Sequence, residues 1–164
     1  MTKTIIFDYD GTIHHTLGIY EPAFRETYQW LTEQKVTEER EIGSVEIAGW
    51  LGLNSKEMWN TFSPELDQSY KEQASRMVGD LMVRQIRKHK AVWYPGAEEM
   101  LTALKNRRYH LIILSNCKAS YREAHWKEFG MERWFDRFYD CESYRFRPKT
   151  CLFYTSPSPP RLGM

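Results

Sequence analysis

The sequence predicts an α/β protein, a doubly wound parallel sheet with a helical segment inserted after its first strand. Three observations carry this. Short apolar runs ending in polar residues recur as Thr4-Ile5-Ile6-Phe7-Asp8, Leu111-Ile112-Ile113-Leu114 and, more weakly, Phe138-Tyr139-Asp140-Cys141. A long stretch with helical apolar periodicity separates the first run from the second. Further helical patterns precede and follow the second run. Alternating strands and helices imply parallel strands joined by right-handed crossovers.

The first run is continuous rather than alternating, which suits a strand buried in a parallel sheet, and Gly11 breaks it. Residues 15–90 then read as helical throughout. Pro22 suits a first-turn position, with Phe24, Tyr28 and Leu31 on one face. A second helix begins near Val45. Asn54 or Ser55 caps a short helix carrying Met58, Trp59 and Phe62. The longest pattern follows, with Tyr70, Ala74, Met77, Val78, Leu81, Met82 and Ile86 in one stripe, read as packing core. Trp50-Leu51-Gly52-Leu53-Asn54 reads equally as a helix-to-helix turn or a specificity loop. After Pro95-Gly96, the residues Ala97, Met100, Leu101 and Leu104 form one helix face. Tyr121, Ala124, His125 and Phe129 form another, with Gly130 as its stop. The expected organisation is a core of residues 1–14 and 91–153, a helical insertion of residues 15–90, and a Ser/Pro-rich tail of residues 154–164.

Composition narrows the function. The 164 residues carry a formal net charge of +1, so no positive field draws nucleic acid. The basic run Arg84, Arg87, Lys88 and Lys90 is interrupted by apolar residues and reads as a solvated helix face. No stretch approaches the roughly 20 apolar residues of a membrane span, and the opening run is too short for a signal peptide. The three cysteines, Cys117, Cys141 and Cys151, form no C-x-x-C, so reduced thiols and a cytoplasmic location are expected.

Phe7-Asp8-Tyr9-Asp10-Gly11-Thr12 carries the most chemistry. A carboxylate at the carboxyl end of a parallel strand stands where such sheets bind ligands. Gly11 lets the chain turn so that Asp10 reaches the same pocket. One carboxylate can then attack as nucleophile while the other moves the leaving-group proton, and the pair invites Mg²⁺. Read alone, the segment is also compatible with an Asp-rich turn. A calcium loop of the EF-hand kind fails, because Ile13 and Ile19 stand where Gly and Glu are required.

Asp8-Tyr9-Asp10-Gly11-Thr12 resembles the first motif of the haloacid dehalogenase-like hydrolase superfamily. Leu114-Ser115-Asn116 resembles its second. Tyr94-Pro95-Gly96-Ala97 resembles the stretch that re-enters the core after a cap, and the helical insertion sits where phosphoglycolate phosphatase-like and β-phosphoglucomutase-like members carry a helical cap. Phe129-Gly130-Met131 and Trp134-Phe135-Asp136 also resemble that branch. The resemblance covers roughly residues 3–153.

It implies a Mg²⁺-dependent phosphatase acting on a small phosphorylated metabolite, with Asp8 as nucleophile and Asp10 as proton donor and then base. Mg²⁺ would be held by the Asp8 carboxylate and the Asp10 backbone carbonyl. Ser115 would bind a phosphoryl oxygen, assisted by Asn116, with Gly11 and Thr12 also on the phosphate. Ser115 and Asn116 also read as helix-start residues. The third-motif cation would be Lys149, with Arg147 second, because the branch places Lys directly before Pro and here Arg147 precedes Pro148. The acidic pair of the fourth motif has no counterpart, since no Asp or Glu follows Lys149. The expectation is therefore a chain truncated or frame-altered after about Phe153, with Mg²⁺ held weakly and one side of the strand set unpaired. A phosphomutase using the same aspartates, or an inactive fragment that binds phosphate or a partner, are the alternatives. His14 and His15 read as solvated loop residues that border the pocket. His89, His110 and His125 lack metal-ligand spacing, and Cys117 reads as a small helix-start residue.

Overall fold

The structure, a computed structural model, describes residues 3–143. Arg147, Lys149, Phe153 and the tail 154–164 lie outside the described residues. In chain order the elements are β1 (Thr4–Phe7), α1 (Leu17–Glu33), α2 (Ser44–Gly49), α3 (Ser55–Phe62), α4 (Gln68–Arg87), α5 (Ala97–Asn106), β2 (His110–Leu114), α6 (Ala119–Phe129) and β3 (Arg137–Tyr139). They fall into two compact units. Residues 15–92 form one, and the flanking segments form the other.

The flanking segments build the α/β unit. Its sheet runs in the order β1-β2-β3 with both pairings parallel. Register pairs Ile5 with Leu111 and Phe7 with Ile113 on one side of β2, and Ile113 with Phe138 on the other. Leu111 and Ile113 of the central strand are fully buried. The continuous apolar run of β1 predicts a buried strand, yet Ile6 is 55% exposed. The cause is position: among the described residues β1 pairs only with β2, so its far flank is an open edge. Gly96, at φ +83°, takes the left-handed conformation that starts α5. Gly130, at φ +56°, ends α6.

The helical unit has its own core. The buried stripe of α1 is Ile19, Ala23, Phe24, Thr27 and Leu31, and α1 packs along α4. Phe24 lies against Trp50, Trp59 and Phe62 at ring-centroid distances of 4.9, 5.9 and 5.2 Å. Pro22 sits in the second turn of α1, not the first, because the apolar stripe begins at Ile19 and pulls the helix start back to Leu17. The helix loses one backbone bond there and keeps its packing. Asn54 forms a full capping box with Glu57. Residues 50–54 make the turn between α2 and α3, with Gly52 at φ +96°. Arg84 of the basic run pairs with Glu26 on a solvated face, as its spacing predicts. No described helix is long and apolar enough to cross a membrane.

Candidate active site

The carboxyl ends of β1 and β2 build the site. Asp8 follows Phe7 directly, and the register that pairs Phe7 with Ile113 brings the chain out of β1 beside Leu114 and Ser115. Ser115 is tied to the third strand by its N–H, which donates to the Tyr139 carbonyl at 3.0 Å. The chain then closes a tight loop. The N–H groups of Thr12, Ile13 and His14 all donate to the Tyr9 carbonyl at 3.2, 3.0 and 3.1 Å, and Gly11 donates to the His14 carbonyl at 2.9 Å. Gly11 permits this because its φ of +75° lies in the left-handed region. The Thr12 hydroxyl lies 3.5 Å from Asp8 Oδ2, at the outer limit of a hydrogen bond. Asp8 itself is exposed.

Asp10 turns the other way. The Tyr121 hydroxyl donates to its Oδ1 at 2.6 Å, and His14 Nδ1 lies 3.3 Å from the same oxygen. His14 Nδ1 is also 3.2 Å from the Tyr121 oxygen. One proton arrangement satisfies all three contacts. Tyr121 gives its proton to the carboxylate, and the His14 Nδ1–H is shared between the phenol oxygen and the carboxylate. Burial works to raise the Asp10 pKa, but the hydrogen bonds from His14 and Tyr121 outweigh it and hold the carboxyl below its usual range. Burial, reinforced by the adjacent Asp10 carboxylate, pushes the Tyr121 phenol well up, so it remains a donor. Asp10 is nonetheless 34% exposed at its side chain, open enough to meet a ligand.

A second buried layer backs this one. Trp93 Nε1–H donates to the Tyr9 hydroxyl at 3.0 Å, and that hydroxyl lies 2.8 Å from His125 Nδ1. With the indole as donor, the Tyr9 hydroxyl keeps its own proton for His125, a role that a neutral imidazole accepting at Nδ1 fits. The electrostatics agree. Burial and then the neighbouring His14 drive the His125 pKa down to about 3, with Asp10 opposing. The rings of His125 and His14 are 4.4 Å apart, centroid to centroid, and His125 and Tyr121 are also 4.4 Å apart.

The structure thus brings Asp8, Asp10, Gly11, Thr12, Ser115 and Asn116 to one end of the sheet. Arg147 and Lys149 lie outside the described residues. Neither Ser115 nor Asn116 starts a helix, because α6 begins at Ala119 with Lys118 as its cap. Ser115 is buried, and its hydroxyl oxygen accepts from the Cys117 N–H at 3.2 Å. Cys117 is a partly buried free thiol whose pKa burial drives upward, so it is protonated and unreactive. Asp140, buried at the end of β3, pairs with Arg122 Nε at 3.0 Å and accepts from Ser143, which fixes the loop beside Cys117.

His14 departs from expectation. It is fully buried rather than solvated, because the loop folds inward on the Tyr9 carbonyl and stacks its ring on Tyr9. The sequence held a signal for this cluster. Tyr121 and His125 lie on the apolar face of α6, where a polar atom must find a partner.

The chemistry of the donor set suits Mg²⁺. An exposed carboxylate at Asp8 and the backbone carbonyl of Asp10 are hard oxygen donors, and Mg²⁺ commonly binds through one or two carboxylates plus water and phosphate. Among the described residues no group of three or more His, Cys, Asp or Glu side chains gathers to form a closed metal cage.

The family model described as haloacid dehalogenase-like hydrolase matches residues 5–154. The chain belongs to that family. Its fold is shared with a solved structure from Haemophilus somnus described as a predicted phosphoglycolate phosphatase, at 20% identity and a TM-score of 0.72, over 93% of this chain and 69% of that one. It is also shared with CbbY from Rhodobacter sphaeroides in complex with phosphate, at 20% identity and 0.66, over 85% and 64%. A haloacid dehalogenase-like family hydrolase from Streptococcus pneumoniae matches at 22% identity and 0.68, over 85% and 61%. The chain thus spans between 61% and 69% of the length of these structures. No curated protein matches its sequence.

Proposed function

We propose that the protein hydrolyses a small phosphate monoester with Mg²⁺, through a phosphoryl group carried on Asp8. The observation that carries this is the placement of an exposed Asp8 and a clamped Asp10 at the carboxyl end of a parallel sheet, beside buried Ser115. A relative of the same fold is solved with phosphate, and a variant of it with xylulose-(1,5)-bisphosphate, which supports a small phosphorylated metabolite as substrate.

An Asp8 oxygen attacks phosphorus while the bond to the leaving oxygen breaks, and Asp10 delivers a proton to that oxygen. Water then attacks the phosphoryl group, Asp10 takes the water's proton, and the Asp8–phosphorus bond breaks. Asp10 rests ionised. The dianionic phosphate of an incoming monoester raises its pKa and favours the protonated form for the first step. Ser115 donates to a phosphoryl oxygen, with Asn116, Gly11 and Thr12 lining the same anion. Asp8 and the Asp10 carbonyl would hold Mg²⁺, which would supply charge neutralisation between carboxylate and phosphate when bound. Lys149, with Arg147 second, supplies the cation of the third motif on sequence grounds. The helical unit serves as the substrate-selecting cap, and the free thiols at Cys117 and Cys141 suit a cytoplasmic location.

The test is turnover of p-nitrophenyl phosphate and a panel of sugar and acid phosphates by the purified chain. Activity should require Mg²⁺, vanish with chelator, and fall at least about 100-fold in Asp8→Asn. Turnover indifferent to Asp8→Asn sinks the reading.

A further inference from the structure

Tyr9, the residue between the two aspartates, is tethered from a distant part of the chain. The loop that carries Asp8 and Asp10 winds about it. The Tyr9 carbonyl accepts the three N–H bonds that close the turn, and its side chain is fully buried. The separation and direction of the flanking carboxylates thus follow the backbone of Tyr9. Ring contacts to His14, Phe138 and His125, at centroid distances of 5.5, 5.2 and 4.9 Å, fill the space around it. The hydroxyl adds direction. It accepts from Trp93 Nε1–H at 3.0 Å, and an indole can only donate. On its other side it meets His125 Nδ1 at 2.8 Å. The far end of the tether is firm. The Trp93 ring stacks on Phe129, the last residue of α6, at 4.6 Å and 18°, and leans on the buried Trp134 at 5.4 Å. Its backbone faces His14 in an antiparallel bridge, and the Tyr94 N–H donates to the Ile13 carbonyl at 2.9 Å.

The segment at 93–94 therefore grips the loop by backbone at Ile13 and His14 and by side chain at Tyr9. We infer, on the reading of Asp8 as nucleophile and Asp10 as acid–base group, that Trp93 is a positioning residue whose indole N–H holds Tyr9 and so sets Asp8 and Asp10 against one another at the end of the sheet. An indole is a donor only, so Trp93 does no acid–base chemistry of its own and acts through Tyr9. Both steps of the reaction need two carboxyl groups in place at once, one on phosphorus and the other on the leaving oxygen or on water. Their separation matters more to the chemical step than to binding, and a misplacement of about 1 Å can cost on the order of 100-fold in rate. Apolar packing is non-directional and lets a ring slide along its neighbours. The hydrogen bond removes that freedom, because it weakens steeply away from its preferred distance and angle.

Trp93→Phe removes the N–H and keeps a ring against Phe129. At a temperature where urea titration shows the variant folded, kcat for p-nitrophenyl phosphate should fall about 5- to 50-fold, and KM should stay within about twofold. Tyr9→Phe cuts the same bond from the other side and should cost at least as much. In the double variant the losses should not add, so that kcat stays within about twofold of Tyr9→Phe alone. A merely structural role would move the urea midpoint and leave kcat per folded molecule unchanged. A folded Trp93→Phe with kcat within about twofold of wild type, a change confined to KM, or losses that add in the double variant each overturn the inference. Crystal structures of wild type and Trp93→Phe give a readout that does not depend on turnover. Asp8 and Asp10 should shift relative to β2 by more than about 0.5 Å, the tolerance of a working site, and a loop that stays in place also overturns the inference. If Trp93→Phe does not fold, Tyr9→Phe is scored by the same two readouts. If wild type lacks Asp8-dependent turnover, it is the hydrolase reading that fails, and the structures alone decide the tether.

Discussion

The two units bury polar groups in different ways. In the helical unit three buried polar side chains, Thr27, Ser63 and Lys71, find partners close by in sequence. Thr27 donates to the Ala23 carbonyl one turn back, Ser63 to Glu65, and Lys71 to Asn60 and the Pro64 carbonyl. In the α/β unit, beside local bonds such as those of Ser115 and Asp140, several polar groups reach across the chain. Tyr9 meets His125, Trp93 meets Tyr9, and Tyr121 meets Asp10, at separations of 116, 84 and 111 residues. Local bonds of the first kind finish helices and loops. Bonds of the second kind specify tertiary placement, and here they gather around Asp10. The helical unit's core is otherwise an aromatic and aliphatic cluster whose job is stability, whereas the α/β unit gives part of its interior to a polar network that orients a functional group.

The largest expected effect tests the first half of that contrast. Trp59 is fully buried and in ring contact with Phe24 and Phe62. Trp59→Ala should destabilise the helical unit by about 3–5 kcal/mol in urea titrations. Hydrogen exchange should locate the loss in residues 15–92 and leave β2 amides protected to the wild-type extent, because each unit has its own core. Equal loss of protection in β2 would mean that the two cores behave as one.

The next effect concerns pH and belongs to the polar network. His125 has a folded-state pKa of about 3 against an ordinary value of 6.5. Below about pH 6.5 the unfolded chain takes up a proton that folded His125 refuses. Its contribution to stability is therefore complete above about pH 6.5 and is lost as pH falls toward 3, at up to about 1.4 kcal/mol per pH unit. His125→Asn, which keeps an acceptor near Tyr9, should reduce the acid slope of unfolding free energy by up to about one proton. An unchanged slope would show that His125 protonates in the folded state without penalty.

The same contrast explains what could be read in advance. The Asn54 to Glu57 capping box, the stripe of α4, the strand ends at Asp8 and Ser115, and the left-handed stop at Gly130 all depend on residues within a few positions of one another. Periodicity and cap chemistry report such features directly. The residues on Asp10 did not announce themselves in this way. His14 follows Asp10 by four positions in a loop, where imidazoles are commonly solvated, and only the inward fold on the Tyr9 carbonyl buries it. Tyr121 and His125 were legible as members of an inward helix face, but their partners lie in another segment that only the sheet register brings near. The exposure of Ile6 has a similar origin: an apolar run cannot say whether its strand is central or at an edge. The pull of Ile19 on the start of α1 was likewise hidden behind Pro22, whose usual place is the first turn.

The smallest effects come from a matched pair of substitutions that isolates the difference between local and long-range polar burial. Tyr9→Phe removes one hydroxyl and keeps the ring. It strips the acceptor from Trp93 Nε1 and the donor from His125 Nδ1, both in a protein interior, and neither group has a second partner of its own within the same segment. The cost should be about 1–3 kcal/mol, the range for stranding buried polar groups. Thr27→Val also removes one buried hydroxyl and keeps the shape. Its acceptor, the Ala23 carbonyl, lies inside α1 and retains the backbone bond of the helix, so nothing is stranded. That substitution should cost less than about 1 kcal/mol, with the added methyl recovering part of it by apolar burial. Urea midpoints at constant m-value read both. If Thr27→Val costs as much as Tyr9→Phe, the distinction between the two interiors is one of sequence distance alone. If Tyr9→Phe is near neutral, the second layer behind Asp10 is packing and not a network, and the support it lends to Tyr121 and His14 is steric.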